Sequence, residues 1–352
     1  MVSAPAHLAS SIEPALARLL AFEPAAMPVL SVYLDTRPDQ HGRAPDPLPL
    51  LRREFHILAQ TWQASSPERQ SFDADVERIF AFAADQIAPA ANGVAIFACS
   101  AAGLFEALQL DAPFDETRIH VCGQPHLFQL VRLDERFPRY AAVLTDANSA
   151  QIFTFALGHT IAADQVDGEK VHRVKVGGWS QARYQRRASN AHEEHAKEVI
   201  ERLQQIVRDD AVSHIVIAGD SVFVPMLRAH MPQDLVPMVE TINLDIHASE
   251  HEILAATLTV LQEHEVATAA EMVARLLRDC RAGGLAVVGL EATSAALANG
   301  QVHELLISGP LEDQPDRLVT TAKQTDAGVT FIEDAKLLEP AGGVGAFLRW
   351  RN

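Results

Sequence analysis

The sequence is poor in cysteine and has no long apolar run. Its three cysteines, Cys99, Cys122 and Cys280, lie far apart and form neither a CxxC pair nor a metal-ligand spacing. An odd, sparse set of thiols is typical of a reducing compartment, so the sequence predicts a cytoplasmic protein. Because there is no run of about 18 apolar residues, we expect no transmembrane helix. Residues 1–24 lack the basic segment and continuous apolar core of a secretory signal, and their spacing predicts an amphipathic helix.

Several motifs that mark enzymes and metal sites are also missing. There is no Walker A pattern, so we expect no nucleotide hydrolysis by this chain. The segment His192–His195 reads HEEH, but the zinc motif HExxH would need a histidine at position 196, which is Ala196. The glycine-rich segment GGVGAF near residue 342 opens no helix, and it predicts a tight turn into the last strand. The sequence therefore predicts neither a metal nor a cofactor.

The remaining composition is that of a globular protein with more than one domain. Apolar residues make up 48% and charged residues 21% of the 352 residues, and this length predicts two or three domains. Strands and helices alternate along the chain, which predicts an α/β fold. We expect three domains: 1–136, an N-terminal α/β domain; 137–267, a central α/β domain; and 268–352, an α/β/α sandwich.

Periodicity places the main elements of these domains. In the first, it predicts a strand over Pro28–Thr36, helices over Leu50–Gln63 and Phe72–Ile87, and a strand pair formed by GVAIFACS and GLFEALQL. In the second, it predicts a hairpin with a turn at Asp146–Ser149, a long helix to about Arg208, and a strand at HIVIAGD. ASEHEILAATLTVLQEHE and AAEMVARLLRDCRAGG are predicted to be two separate helices, and AVVGLEATSAALANGQV a third. The last domain is predicted to continue with the strand HELLIS, a helix, and the strands VTFIED and GGVGAFLRW.

Positive charge is concentrated in one stretch of an otherwise acidic chain. The net charge is −17, which disfavours non-specific binding to nucleic acid. Residues 169–190 nevertheless carry one acid, Glu169, against six basic residues: Lys170, Arg173, Lys175, Arg183, Arg186 and Arg187. The same stretch contains Gly177-Gly178-Trp179, so it predicts a local RNA contact.

Four features follow one another in the central segment: the hairpin VLTDANSAQIF, a Gly-Gly loop, Ser-x-x-Arg-Tyr-x-Arg before a long helix, and IVIAGD. In this order they resemble the bacterial branch of the archaeo-eukaryotic class I release factor and Pelota superfamily. The family loop reads Gly-Gly-Gln-Ser-x-x-Arg-Phe-x-Arg, so Trp179 replaces its glutamine and Tyr184 its phenylalanine. The segments LEATSAALANGQVHELLIS, AKQTDAGVTFIED and GGVGAFLRW resemble the family's third domain, which shares the fold of kink-turn-binding ribosomal proteins. Residues 1–136 show no stop-codon-reading signature.

The resemblance implies a function on the ribosome. In the family, the loop reaches the peptidyl-transferase centre, where the glutamine orients or shields the water that attacks the peptidyl-tRNA ester. We therefore expect the chain to bind the bacterial ribosome in the A site of idle or stalled particles, in hibernation or rescue. Ribosomal RNA and tRNA are the expected contacts, delivery by a translational GTPase stays open, and neither DNA nor a membrane is an expected partner. The candidate nucleic-acid-binding residues are Arg173, Lys175, Gly177, Gly178, Trp179, Ser180, Gln181, Arg183, Arg186 and Arg187.

Each of these residues also has a simpler explanation. The glycine pair could be a plain turn, and the arginines a solvated helix face, although the positions four residues after Arg183 and Arg186 hold no acid. Trp179 could pack against its own domain or stack on a base. Its indole donates one hydrogen bond and accepts none, which argues against hydrolysis by the family mechanism. Two other functions therefore stay open: a peptidyl-tRNA hydrolase that has replaced the glutamine, and an interaction protein that keeps the fold without binding RNA.

Overall fold

The computed structural model describes residues 11–23, 26–167, 179–210, 212–308 and 315–351, with the backbone alone described for 179–188. The fold is mixed α/β, as predicted. The chain divides into two compact units: residues 1–136 together with 265–352 form unit 1, and residues 137–264 form unit 2. None of the described helices is long and apolar enough to cross a membrane.

The N-terminal part of unit 1 is a four-stranded antiparallel sheet with the strand order β3-β2-β1-β4. The two central strands have mostly apolar sequences and are buried almost throughout. Helices α2 and α3 pack on the sheet, and Ser66 caps α3 by accepting a hydrogen bond from the Arg69 N–H at 3.2 Å. The elements are α1 (Glu13–Leu20), β1 (Val29–Asp35), α2 (Leu48–Ala59), α3 (Pro67–Asp85), β2 (Gly93–Cys99), β3 (Leu104–Leu110), β4 (Arg118–Cys122) and α4 (Phe128–Arg136).

Unit 2 is a five-stranded mixed sheet with the order β7-β6-β5-β8-β9. Strands β5, β6 and β7 form an antiparallel meander, whereas β8 is parallel to both β5 and β9. Helices α5 and α6 cover one face, and the first part of α7 covers the other. The elements are β5 (Tyr140–Thr145), β6 (Ser149–Ala156), β7 (His159–Asp167), α5 (Trp179–Asp209), β8 (His214–Gly219), α6 (Phe223–Ala229), β9 (Val239–Ile242) and α7 (Glu250–Arg281).

The C-terminal part of unit 1 is a second four-stranded sheet with the order β10-β13-β11-β12. Strands β11 and β12 are parallel, and β13 runs antiparallel to β10 and β11. The second half of α7 packs on this sheet. The elements are β10 (Ala286–Val288), α8 (Leu290–Ala298), β11 (Val302–Ser308), α9 (Pro315–Gln324), β12 (Gly328–Ile332), α10 (Ala335–Leu338) and β13 (Val344–Leu348).

Two of the sequence predictions for this region are wrong. The segment predicted as one helix from Ala286 begins with strand β10, because Ala286–Val288 pair with β13, and the helix starts only after Gly289. The two helices predicted on either side of residue 268 are one helix, α7. No glycine or proline lies between Glu263 and Ala270, so nothing in the local sequence ends the first helix there.

The N-terminal and C-terminal parts of unit 1 are joined by buried polar contacts. Asp316 at the start of α9 accepts hydrogen bonds from the backbone N–H groups of Leu127 and Phe128, at 2.6 and 3.0 Å. Glu135 on α4 accepts from the backbone N–H of Phe331 at 2.9 Å, and the rings of Phe128 and Phe331 pack edge to face at 5.2 Å. Residues distant in sequence thereby form one compact unit.

Candidate nucleic-acid interface

The predicted nucleic-acid-binding residues lie before and within the first turns of helix α5. Four of them, Arg173, Lys175, Gly177 and Gly178, fall outside the described residues. For the other six the structure gives the backbone only, and this backbone is helical from the first of them onward: Trp179, Ser180, Gln181, Arg183, Arg186 and Arg187. The helix therefore begins directly after the glycine pair. That the loop with Gly177, Gly178 and Trp179 contacts RNA stays a prediction.

Among its described side chains, those of residues 189–209, helix α5 packs on the sheet of unit 2 from His195 onward. Its buried residues repeat at helical spacing and belong to the main core of the unit: His195, Ala196, Val199, Ile200, Leu203 and Ile206. None of the described side chains at positions 189–194 is buried. Residues 179–194 correspond to about 24 Å of helix, at about 1.5 Å per residue. That length of helix precedes the packed part and leads back to the glycine pair.

His195 marks the point at which α5 meets its sheet. The side chain is 2% exposed, and its ring lies 5.3 Å from the ring of Phe223 on α6 at an angle of 30°. No hydrogen bond of ordinary geometry to either ring nitrogen is found among the described residues, although the Ser149 carbonyl lies near. Burial lowers the pKa of His195, while the Ser149 carbonyl and Glu198 oppose the shift. The structure thus places His195 on the buried face of this helix.

The turn between β5 and β6 is fixed by Asp146. Its Oδ1 accepts hydrogen bonds from the backbone N–H groups of Asn148 and Ser149, at 2.7 and 2.8 Å. The Thr145 hydroxyl donates to the Ser149 carbonyl at 3.2 Å. This is the Asx turn that the sequence predicts, and it holds the Ser149 carbonyl in place beside His195.

Gly219 and Asp220 hold Phe223 beneath His195. Gly219 pairs with Thr145 across the parallel strands, and a Cβ at position 219 would lie 1.8 Å from the Thr145 carbonyl oxygen. Its φ of +141° is also one that side-chain-bearing residues rarely adopt. The Oδ1 atom of Asp220 accepts from the N–H groups of Val222 and Phe223, at 2.7 and 3.1 Å, at the start of α6. The sequence analysis identified the strand and its Gly-Asp ending but missed Phe223 as the contact of His195.

We call this set the α5 clamp: Asp146, Ser149, His195, Gly219, Asp220 and Phe223. Its hydrogen bonds fix the β5–β6 turn and the start of α6, and the Ser149 hydroxyl also donates to Asp146 Oδ1 at 3.3 Å within that turn. Within the described ranges, no group of three or more His, Cys, Asp or Glu residues could hold a metal ion. The basic part of α5 ends before the clamp, at Arg187, and acids follow it at Glu193, Glu194 and Glu198. The basic residues of α5 therefore precede the clamp in the helix, and acidic residues lie next to the clamp.

Comparisons with known proteins relate the central segment of the chain to a family. Residues 125–262 match the model of bacterial archaeo-eukaryotic release factor family 10. An uncharacterised protein of Mycobacterium tuberculosis strain H37Rv is 25% identical over 240 residues, which are 66% of this chain and 62% of that protein. The chain thus spans less than two thirds of that relative's length. The protein pelota homolog of Methanocaldococcus jannaschii is 22% identical over 256 residues, covering 68% of this chain and 70% of that protein.

A solved structure described as a model of ribosome-bound archaeal Pelota and ABCE1 is 14% identical, with a TM-score of 0.45, and the match covers 98% of this chain and 96% of that one. The family match spans α4 to β9 and the start of α7, and it contains the ordered motifs, the glycine pair and the α5 clamp. The central segment of this chain, residues 125–262, belongs to the bacterial branch of the archaeo-eukaryotic release factors, and about two thirds of the chain is similar in sequence to a Pelota homolog.

Proposed function

We propose that this chain is a ribosome-binding translation factor that occupies the A site of idle or stalled ribosomes, with the glycine loop directed toward the peptidyl-transferase centre. The observation that carries the proposal is the length of α5 before the clamp. About 24 Å of helix separates His195 from a glycine pair at the helix start. A loop at the end of such a helix can enter a narrow site that the sheet of unit 2 could not enter.

The charge distribution supports an RNA partner for this end of the helix. The chain as a whole carries −17, so its long-range field opposes the approach of RNA. The basic residues from Lys170 to Arg187 stand at the start of a long helix, where the helix dipole also favours phosphate. Adjacent glycines have no Cβ, so their backbone can approach RNA closely. This end of the helix is therefore suited to bind phosphate although the chain as a whole is acidic.

The residue at position 179 favours binding in the A site without hydrolysis of the peptidyl-tRNA ester. Trp179 stands where the family loop has glutamine, and an indole cannot accept a hydrogen bond from a water molecule. We therefore propose that the loop holds the A site, in hibernation or rescue, and does not cleave the peptidyl-tRNA ester.

The proposal keeps the three domains at 1–136, 137–267 and 268–352, with the central domain carrying the loop. It places the protein in the cytoplasm, where ribosomes are, and its contacts are ribosomal RNA and tRNA. Delivery by a translational GTPase is compatible with it and needs its own test, such as co-purification with candidate GTPases on ribosomes.

Co-sedimentation with purified bacterial ribosomes at physiological salt tests the proposal. We compare the wild type with two variants of α5 that each remove two positive charges. Arg186→Gln with Arg187→Gln acts before the clamp, whereas Lys197→Gln with Arg208→Gln acts on exposed positions after it. We expect the wild type and the second variant to pellet with ribosomes, and the pelleted fraction of the first variant to fall several-fold. A wild type that stays in the supernatant, or an equal fall for both variants, would refute it.

A further inference from the structure

A second basic surface lies on the C-terminal part of unit 1, far along the chain from the glycine loop. Five arginines contribute to it: Arg275, Arg278 and Arg281 from the end of α7, and Arg349 and Arg351 from the segment after β13. All five are exposed. Two large apolar side chains lie among them, Leu285 at 47% and Trp350 at 45% exposure. We call this set the arginine–tryptophan surface.

Hydrogen bonds hold the two chain segments of this surface together. Helix α7 ends in a Gly-Gly turn in which the Gly284 N–H donates to the Asp279 carbonyl at 2.8 Å and the Gly283 N–H to the Cys280 carbonyl at 3.1 Å. The Arg351 guanidinium donates to the carbonyls of Gly283 and Gly284, at 2.8 and 3.1 Å. The Leu348 N–H donates to the Leu285 carbonyl at 3.0 Å. The end of α7 and residues 349–351 therefore form one continuous surface.

The charges of this surface are poorly balanced by acids. Among the described residues, one ion pair is found, between Arg275 Nε and Asp279 Oδ2 at 3.5 Å. Arg349 and Arg351 donate to backbone carbonyls, which leave the positive charge in place, and the carbonyl of Asp326 is one of them. The Arg275 guanidinium lies 5.0 Å above the ring of Phe347, which orients it without neutralising it.

A structural explanation covers only part of this surface. Cations in the last turn of a helix stabilise it through the helix dipole, and this accounts for Arg278 and Arg281. It does not account for Arg349 and Arg351, which lie beyond strand β13, nor for an indole that is 45% exposed. The combination of guanidinium groups with an exposed aromatic ring is the one that binds single-stranded RNA, through phosphate contacts and base stacking.

We propose that the arginine–tryptophan surface is a second RNA-binding site, in which the arginines contact phosphates and Trp350 stacks on an unpaired base. The inference rests on the proposed function, since it supplies a second anchor on the same RNA partner. It concerns a different part of the molecule from the loop. It also lies at the opposite end of the C-terminal sheet from the start of α8, because β10 begins after Leu285 of the arginine–tryptophan surface and is followed at its other end by Gly289 and α8.

Fluorescence anisotropy with a fluorescein-labelled single-stranded RNA of mixed sequence tests this site in the full chain. Arg278→Gln with Arg281→Gln removes two charges from the surface. Arg317→Gln with Lys336→Gln removes two exposed charges from the opposite end of the same sheet and is the matched control. We expect the first pair to weaken binding several-fold and to make the salt dependence shallower by about 0.7 for each phosphate that the arginines no longer neutralise. The control pair should bind like the wild type.

Trp350→Ala separates RNA from an acidic protein partner. We expect this variant to weaken RNA binding by about 5- to 150-fold, the cost of one base–aromatic stack, while binding to labelled poly-glutamate stays as in the wild type. An equal weakening for RNA and poly-glutamate would assign the surface to acidic polymers in general and overturn the inference. Circular dichroism melting curves show whether each variant is folded, and Trp350→Phe, which keeps an aromatic ring, should retain most of the affinity.

The measurements can refute the second RNA-binding site and the proposed function separately. RNA binding that disappears in Arg186→Gln with Arg187→Gln but is unchanged in Arg278→Gln with Arg281→Gln would overturn the second site and leave the loop proposal intact. A wild type that co-sediments with ribosomes but does not bind the labelled RNA would do the same. Weaker binding in the α7 pair alone would support the second site and contradict the role of the loop.

Discussion

Gly219 sets how closely strands β5 and β8 approach at the α5 clamp. Gly219→Ala would place a methyl group 1.8 Å from the Thr145 carbonyl oxygen at a φ of +141°. We expect the free energy of unfolding to fall by more than about 3 kcal/mol, because strain at such a position adds to a backbone clash. Gly103→Ala is the control, since its φ is +70° and nothing lies within 4 Å of the added Cβ. It should cost only about 1–2 kcal/mol. Urea unfolding followed by circular dichroism measures both, and equal losses of stability would contradict the explanation.

Substitutions of Trp179 test whether the loop only occupies the ribosomal A site or also hydrolyses the peptidyl-tRNA ester. Trp179→Ala should weaken ribosome binding by about 5- to 150-fold if the indole stacks on a base, with peptide release near zero before and after the change. Trp179→Gln restores the family side chain, whose amide can both donate to and accept from a water. We expect this variant to gain some peptide release in an assay on stalled ribosome complexes. Strong release by the wild type that disappears in Trp179→Ala would show that the indole belongs to an active site.

At the scale of the element, the buried His195 of the α5 clamp should make the stability of unit 2 depend on pH. Burial lowers the pKa of His195 below its unfolded value near 6.5, so the unfolded chain binds the proton more readily. Stability of unit 2 should therefore fall as the pH drops below about 6.5. We expect His195→Leu to show a smaller decline than the wild type between about pH 7.5 and 5. His214, whose pKa is also lowered by burial, remains in both proteins, so the difference reports His195 alone.

The measurement of that difference needs a probe confined to unit 2. Hydrogen exchange and mass spectrometry of peptides from β5 and β8, which belong to unit 2, follow urea unfolding of that unit alone. His251→Leu, at an exposed position, is the control and should keep the pH dependence of the wild type. If His195→Leu declines as steeply as this control, the buried imidazole does not control the acid response.

The elements that sequence reasoning found are those with a strong local signal. The stripe from His195 to Ile206 and the Asp146 turn were predictable because helical spacing and Asx chemistry are local properties. Strand β10 was missed because its three apolar residues pair with β13, about sixty residues later in the chain. The contact of His195 with Phe223 depends on how α6 packs, and the arginine–tryptophan surface depends on a hydrogen bond from Arg351 to Gly283. No local pattern contains such information.

At the scale of the whole molecule, the two ends of the chain fold into one unit. The sequence predicts separate domains at 1–136 and 268–352, and its pattern cannot show that residues of α4 contact residues of α9 and β12. Those contacts bury two carboxyl groups, Asp316 and Glu135, between the N-terminal and C-terminal parts of unit 1. Burial raises the pKa of Asp316 to about 6 and that of Glu135 to about 8. Neighbouring acids, Glu265 and Glu304, raise the pKa of Glu135 further, whereas the Phe331 N–H and Lys323 lower it.

The buried carboxyl group of Glu135 should make unit 1 less stable as the pH rises. A carboxyl group whose folded-state pKa is raised contributes stability at low pH and loses it as the pH rises through that value, about 8 for Glu135. We expect the free energy of unfolding of unit 1 to fall from about pH 4.5 to 8, between the pKa values of Glu135 in the unfolded and folded chain, which is the opposite of the His195 effect in unit 2. Glu135→Gln keeps an acceptor for the Phe331 N–H but cannot ionise, so it should flatten this decline. In a Trp179→Phe background, fluorescence of Trp62 and Trp350 reports unit 1 alone during urea unfolding. Glu339→Gln, at an exposed position, is the control, and its free energy of unfolding should fall with pH as in the wild type. If the free energy of unfolding of Glu135→Gln falls by the same amount, Glu135 is ionised in the folded chain.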